Sequence, residues 1–448
     1  MAAMAERRYF GTDGVRGVAG EHPMTGAFAF RLGVAAAEGL RRRGRERPKV
    51  VVGMDTRRSG PMLAHAVSAG LASRGADVTW LGVIPTPGVS YLARKLGCDA
   101  GVVVSASHNP FDDNGLKLFN QDGEKLSDAL EEEIEALLDV APEALPPVTG
   151  NAVGSATRYR TADGHYMQHL LSNAPYLDGL RVALDCANGA ASQIAPKVFE
   201  KIGARLDVIH ARPDGENINV GCGSTDPVSV RSRVVDHELD VGVTFDGDAD
   251  RALLVDRKGR LVTGDHIMAI CALTSGDEEV VATLMSNLGV ERFLQARGVR
   301  MHRVQVGDRY VHEELTRRGL RLGGEQSGHV LFLDKAPTGD GILTALQVLA
   351  AVRKSDRALE AWMDEIPVYP QCLLNVRVPL EARQGVLEQP SVSRAVEAAR
   401  TRLGDAGRIN LRPSGTEPLV RVMVEAEDES LVGEVAREVA AAVEAAAS

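Results

Sequence analysis

The sequence has little that would tie it to an oxidising compartment, a polyanion or a membrane. Its five cysteines, Cys98, Cys186, Cys222, Cys271 and Cys372, are odd in number, far apart and without C-x-x-C spacing. That pattern argues against a disulfide framework or a structural zinc and fits a reducing compartment. No long Lys/Arg block is present, and acidic residues outnumber basic ones, 61 to 51, for a formal charge of -10. Such a balance disfavours nonspecific binding to nucleic acid or a membrane surface, leaving a local basic pocket as the way to hold an anionic metabolite. Met1 to Arg8 is polar and lacks the apolar core of a signal peptide, and no later apolar run is long enough to span a bilayer. A cytoplasmic chain is expected.

What is present is ordinary for a core-forming protein. With 44% hydrophobic and 25% charged residues over 448 positions, extensive disorder is not expected, and a prior of roughly 100–200 residues per domain suggests about three or four domains. The organising stretch is Val102-Val103-Val104-Ser105-Ala106-Ser107-His108-Asn109-Pro110. Three β-branched residues read as a buried strand, and the small polar loop after them falls where open α/β sheets present ligands. Ser107 admits three readings. It is a turn residue, half of a Ser-His hydrolase pair, or a serine that carries a phosphoryl group. Adjacent residues do not normally aim their side chains at each other, which weighs against the second. The third needs cations nearby.

In chain order, Tyr9-Phe10-Gly11-Thr12-Asp13-Gly14-Val15-Arg16-Gly17 places one arginine in a flexible, Gly-rich loop. Val50 to Gly53 reads as a strand, Pro61 to Ser73 as a helix, Val78 to Leu81 as a strand and Val89 to Leu96 as a helix that leads to the Ser107 strand. Alternation of this kind needs crossovers and implies a largely parallel sheet. Leu130, Ile134, Leu137 and Leu138 fall at helical spacing behind Ser127. The same order of strand, polar loop, helix, glycine and strand recurs from Arg181 to Ile209 and from Val280 to Val306. The tail differs, with strands at Cys372 to Val378, Gly407 to Leu411 and Leu419 to Val424 before an amphipathic helix through Val432, Val435, Val439 and Val443. The expected architecture is three related α/β domains with mixed, largely parallel sheets and a smaller C-terminal α+β domain around a central cleft. Expected boundaries are 1–150, 151–255, 256–367 and 368–448.

Three further loops carry chemistry. Asp246, Asp248 and Asp250 follow an apolar strand at i, i+2 and i+4; on an extended segment they share one side and can converge on one ion. All-oxygen donors favour a hard cation such as Mg²⁺; a solvated acidic turn is the plain alternative. A calcium EF-hand would need glycine and glutamate where Arg251 and Arg257 stand. An aspartyl nucleophile of the haloacid-dehalogenase type would leave Ser107 without a role. Gly323-Gly324-Glu325-Gln326-Ser327-Gly328-His329 offers a carboxylate and a hydroxyl, or is only a glycine-rich turn. Arg412-Pro413-Ser414-Gly415-Thr416-Glu417-Pro418, with Arg421, groups donors suited to phosphate. A hairpin turn there is compatible with that reading.

These strings, with Asp113-Asn114-Gly115-Leu116-Lys117 after the serine loop, resemble the α-D-phosphohexomutase family, and within it the bacterial branch that acts on amino sugars. The resemblance spans nearly the whole chain, in family order. It implies a phosphorylated Ser107, with His108, Lys117, Arg16 and Arg251 as catalytic neighbours and Lys117 as proton acceptor. One Mg²⁺ per chain would be held by Asp246, Asp248, Asp250 and a phosphoserine oxygen of Ser107. Glu325 and Ser327 would bind sugar hydroxyls, with His329 shaping the pocket. Arg412, Ser414, Gly415, Thr416 and Arg421 would bind the non-reacting phosphate. The implied reaction is reversible isomerisation of glucosamine 6-phosphate to glucosamine 1-phosphate through a glucosamine 1,6-bisphosphate, feeding amino-sugar cell-wall precursors. Glucose or mannose phosphates are the alternative substrates, and a catalytically silent sugar-phosphate binder is the remaining one. No nucleic-acid or membrane partner is expected; a homodimer is left open.

Overall fold

The computed structural model describes residues 8–11, 13–413 and 418–447. Runs of β-branched residues form the strands expected of them. In the first sheet, β1 (Val15–Val18), β2 (Lys49–Met54), β3 (Asp77–Val83), β4 (Ala100–Val104), β5 (Asp113–Asn120) and β6 (Ala156–Arg158) lie in the order 1-5-4-2-3-6. Strands β2, β3, β4 and β6 are parallel, while β5 runs antiparallel between β4 and β1. Helices cover both faces, so Val50, Val51 and Val52 and Val102, Val103 and Val104 are all buried, as central parallel strands require.

The plan repeats. Strands β7 (Arg181–Asp185), β8 (Arg205–Ile209), β9 (Val241–Phe245), β10 (Ala252–Asp256) and β11 (Leu261–Val262) give the order 11-10-9-7-8. In the third sheet, β12 (Glu279–Thr283), β13 (Arg300–Val304), β14 (Leu322–Gly324) and β15 (Val330–Phe332) give 13-12-14-15. Each has a parallel centre with antiparallel strands at one side. The tail is an antiparallel sheet of β16 (Gln371–Arg377), β18 (Leu419–Ala426) and β17 (Gly407–Pro413), with β18 central, backed by the helices Pro390–Leu403 and Glu429–Ala447. Val432, Val435, Val439 and Val443 of the last helix enter its own core. Three α/β units and one α+β unit are therefore present.

Two local readings change. Arg16 lies on an edge strand, because Val15 to Val18 pairs with β5 in the register Arg16↔Gly115. Gly115 allows this approach: a Cβ there would stand 3.1 Å from Cγ of Arg16 and 2.5 Å from the Ser105 carbonyl oxygen. Strand β6 lies past residue 150 yet pairs with β3 of the first sheet. Gly154 makes this return path available, since a Cβ there would meet the Ala76 carbonyl oxygen at 1.9 Å. One apolar cluster runs from Val51 and Val103 through Val182 and Val243 to Val280 and Leu346. It joins the three α/β units beneath their strand ends, so the loops there are mounted on a common base.

Candidate active site

Strand β4 delivers Ser107 into a loop that is buried up to that residue, which is 1% exposed, and emerges at Pro110. Ser107 takes φ 54°, in the left-handed region that non-glycine residues seldom occupy. Its Oγ donates to Asp246 Oδ2 at 2.6 Å and lies 3.3 Å from His108 Nδ1. The sequence reading did not expect adjacent serine and histidine side chains to meet, and the left-handed turn at Ser107 is what brings them together. Burial, then Arg251 and Arg16, push His108 down to about 4, so it is neutral at physiological pH. Ser105 also has a defined place. Its Oγ donates to Asp55 at 2.6 Å and accepts from the Ser107 N–H at 2.9 Å.

Asp246, Asp248 and Asp250 follow β9, all buried, and offer ligand oxygens within 4.8 Å of one another. The convergence comes from a turn rather than from the expected extended segment. Ala249 has φ 56°, and the chain folds the third carboxylate back on the first. Burial raises the Asp246 pKa well above its ordinary value, and Asp250 and Asp248 add to that. Burial also opposes charge on Asp250, but Lys117, His329 and Arg251 outweigh it and hold its pKa low. Oδ1 of Asp248 and Oδ1 of Asp250 are buried without a hydrogen-bond partner. Unpartnered buried carboxylate oxygens are costly, and a small hard cation between the three carboxylates satisfies them. The donor set fits Mg²⁺.

Cations arrive from the first unit. Lys117 on β5 is buried, with Nζ 2.8 Å from Asp248, 3.0 Å from Asp13 and 3.5 Å from Asp250. The proton-acceptor role that the resemblance implies for Lys117 would need a lowered pKa. Burial does work that way, but Asp13, Asp248 and Asp250 outweigh it and raise its pKa above the ordinary value. Arg16 pairs with Asp13 and approaches the Ala106 carbonyl at 3.3 Å. Arg251 lies 3.9 Å from Asp250.

The third unit closes the group. Glu325 follows β14 and accepts from the Gly307 N–H at 3.1 Å, and Ser327 Oγ is 3.4 Å from its second oxygen. His329, 4% exposed, stands 3.7 Å from Asp250 and 3.3 Å from Asp308. In the tail, Arg412 and Arg421 are cross-strand partners, and burial followed by Arg421 lowers the Arg412 pKa. Ser414, Gly415 and Thr416 lie outside the described residues.

Several participants were not singled out from sequence. Asp13 bridges Arg16, Lys117 and Lys125, and Lys125 reaches on to Asp308 at 2.7 Å, tying the first unit to the third. Thr86 donates to Asp248 at 2.6 Å. Arg57 and Asn219 hold the serine loop through its carbonyls. A signal for Asp55 and Arg57 did exist, because they follow β2, the strand parallel to β4, and so lie at the same carboxyl edge. Asn219 carried none.

Comparison with known proteins agrees over the full length. Models of phosphoglucomutase/phosphomannomutase alpha/beta/alpha domains I, II and III match residues 7–144, 164–259 and 263–369, and that of the C-terminal domain matches 373–442. A phosphoglucosamine mutase of Deinococcus deserti is 55% identical over 442 residues, covering 99% of each chain. Among solved structures, a phosphoglucomutase/phosphomannomutase family protein from Burkholderia thailandensis superposes with TM-score 0.82 at 22% identity, covering 97% of each chain. The Aspergillus fumigatus N-acetylphosphoglucosamine mutase, solved with GlcNAc-6P and magnesium, superposes with TM-score 0.67 at 18% identity, over 99% of this chain and 96% of that one. On the full-length identity and the four domain matches together, the chain belongs to the phosphoglucomutase/phosphomannomutase family, the α-D-phosphohexomutases.

Proposed function

We propose that this chain interconverts glucosamine 6-phosphate and glucosamine 1-phosphate, with Ser107 as the phosphoryl carrier. The observation that carries the reading is the placement of buried Ser107, its Oγ 2.6 Å from Asp246, in a site where Lys117 meets Asp248, Arg251 lies beside Asp250 and Arg16 approaches the Ala106 carbonyl. The 55% identical full-length relative supports the amino sugar as substrate. Phosphorylated Ser107 gives up its phosphoryl group as the P–Oγ bond breaks and a bond forms from phosphorus to the free sugar hydroxyl oxygen, the hydroxyl's proton ending on the departing Ser107 Oγ. The product is glucosamine 1,6-bisphosphate, whose other phosphate returns to Ser107 once the sugar has turned. Glu325 and Ser327 bind ring hydroxyls in both orientations. Arg412, Arg421 and the Ser414, Gly415 and Thr416 loop hold the phosphate that is not reacting.

Asp246, Asp248 and Asp250, with a phosphoserine oxygen, would hold one Mg²⁺. When bound, that ion neutralises charge on the transferring group, the main need in phosphoryl transfer. Arg16 and Arg251 serve the same end from the protein. Lys117 is charged in this arrangement, so we assign it first as a cation beside the reacting oxygens. As proton acceptor it would need its hold on Asp13, Asp248 and Asp250 loosened. We divide the chain into four domains at the expected boundaries, moving β6 into the first. Five free cysteines, four of them buried, support a reducing, cytoplasmic setting. No helix among the described residues is long and apolar enough to cross a membrane.

The test is conversion of glucosamine 1-phosphate, glucose 1-phosphate and mannose 1-phosphate at equal concentration, with Mg²⁺ and a trace of sugar 1,6-bisphosphate. Preference for the amino sugar, lost in Ser107→Ala, is expected. Preference for glucose or mannose would overturn the substrate, and turnover by Ser107→Ala would overturn the mechanism. Unchanged turnover in Lys117→Met would remove that lysine from it.

A further inference from the structure

A serine that accepts and returns a phosphoryl group must keep its Oγ in one place through both half-reactions, although its own charge changes each time. Ser107 does so from an unfavourable backbone conformation, φ 54°, which persists only where surroundings over-determine it. Those surroundings are unusual in one respect: a single buried guanidinium supplies most of them. Arg57 is 1% exposed. Its Nη2 donates to the Ser107 carbonyl at 2.9 Å and the Asn109 carbonyl at 2.8 Å. Its Nη1 donates to the Asp113 carbonyl at 3.0 Å and also to that of Pro110. The remaining Nε donates to Asp55 Oδ2 at 2.9 Å. Asp55 in turn accepts from Ser105 Oγ, the same hydroxyl that receives the Ser107 N–H. Asn219, from the second unit, adds a second donor to the Ser107 and Asn109 carbonyls, at 2.9 and 3.1 Å.

We propose that Arg57, braced by Asp55, is a positioning residue for phosphoryl transfer: it acts through the carbonyls of the 107–113 loop to hold Ser107 left-handed, with Oγ directed at Asp246. The inference rests on the phosphoserine reading above. A burial this complete is wasteful for stability alone, since a buried ion pair is often no better than apolar packing. What the pair provides is geometry. A guanidinium carries five N–H donors in a rigid plane, which suits four carbonyls and a carboxylate; an ammonium offers three donors from one atom. The carbonyls of Ser107, Asn109, Pro110 and Asp113 are all taken up by Arg57.

The test uses the full-length protein, primed with glucosamine 1,6-bisphosphate, as Arg57→Gln, Arg57→Lys and Asn219→Ala. The readouts are kcat and KM for glucosamine 6-phosphate per folded molecule, with the folded fraction from circular dichroism. Displacing a reacting group by about 1 Å costs on the order of 10²-fold in rate. Arg57→Gln is therefore expected to lower kcat about 10²-fold with KM within about 3-fold of the parent, Arg57→Lys to recover part of it, and Asn219→Ala to lose about 5-fold. A kcat for Arg57→Gln within about 3-fold of the parent, or a rise in KM alone, would overturn the proposal. Should Arg57→Gln not fold, Asn219→Ala decides: a fall in kcat at constant KM supports it, and an unchanged kcat overturns it. Ser107→Ala separates the two levels. Turnover in that variant defeats the phosphoserine reading itself, whereas an inactive Ser107→Ala beside fully active Arg57 and Asn219 variants defeats only the present inference.

Discussion

Two neighbouring parallel strands, β7 and β9, each end in a group of metal-ligand side chains, and the two groups are built oppositely. After β7, Asp185, His210 and Cys222 bring ligand atoms within 4.8 Å of one another, as Asp246, Asp248 and Asp250 do after β9. Asp185, however, has both oxygens in use. It accepts from the Ala187 N–H at 2.9 Å, the Gly223 N–H at 2.9 Å and His210 Nδ1 at 3.1 Å. Burial, then Asp185, push the Cys222 thiol up to about 12. In the β9 group, one oxygen each of Asp248 and Asp250 is left without a hydrogen bond, while Lys117 from the first unit reaches the other oxygen of each and His329 from the third stands 3.7 Å from Asp250. Proximity of donors is thus the same in both places. Satisfaction distinguishes a loop brace from a site awaiting a ligand.

The largest expected effect breaks the open group. Asp248→Asn should lower kcat by about 10²–10³-fold, the usual cost of removing one preorganised electrostatic group, and shift the Mg²⁺ concentration needed for half-maximal rate. A loss under about 10-fold with unchanged Mg²⁺ dependence would place Asp248 with the braces. Next comes Asp185→Ala. It strands two buried N–H groups, so equilibrium unfolding should show a loss of about 2–4 kcal/mol. The protection of this variant by Mg²⁺ against heat should match that of the parent; loss of that protection would mean that both groups hold an ion.

The smallest effect concerns pH. The hydrogen bond to Asp185 raises the His210 pKa above its ordinary value, against the smaller opposing effect of burial. A raised folded-state pKa stabilises fully below the unfolded value, about 6.5, and the gain fades as pH rises through the folded one. His210→Gln should therefore cost stability at pH 5.5 and approach the parent at pH 8.5, with a difference under about 1 kcal/mol because the pair is partly solvated. A gap that widens with pH would show that the imidazole acts as a neutral brace instead.

Much of the fold was legible because burial leaves a local mark. Val50 to Val52, Val102 to Val104 and Val432 to Val443 announce strands and a helix by their spacing, and the structure places them so. The short strand of Arg16 and the strand of Lys117 were not legible as strands. Their residues, Val15-Arg16-Gly17-Val18 and Asp113-Asn114-Gly115, are rich in glycine and polar groups, and only pairing with each other and with β4 makes them extended. In the site, residues that stand beside a recognisable loop motif could be named, whereas Asn219 and Lys125 could not. Each acts through long-range contacts, Asn219 with the Ser107 and Asn109 carbonyls and Lys125 with Asp13 and Asp308, that leave no trace in its neighbours along the chain.

By itself, then, the sequence determined which segments would be buried, which loops would carry charge and which family the motifs resemble, since hydrophobic periodicity and motif spacing are properties of short windows. The tertiary structure decided the rest. It folded Asp250 back toward Asp246 through the turn at Ala249, surrounded Lys117 with carboxylates from two loops, and laid Arg57 under the carbonyls of the Ser107 loop. Electrostatic character and backbone strain depend on what lies within a few ångströms. In this chain those neighbours range from a few residues away, as with Asp246 and Asp250, to more than a hundred, as with Lys117 and Asp248.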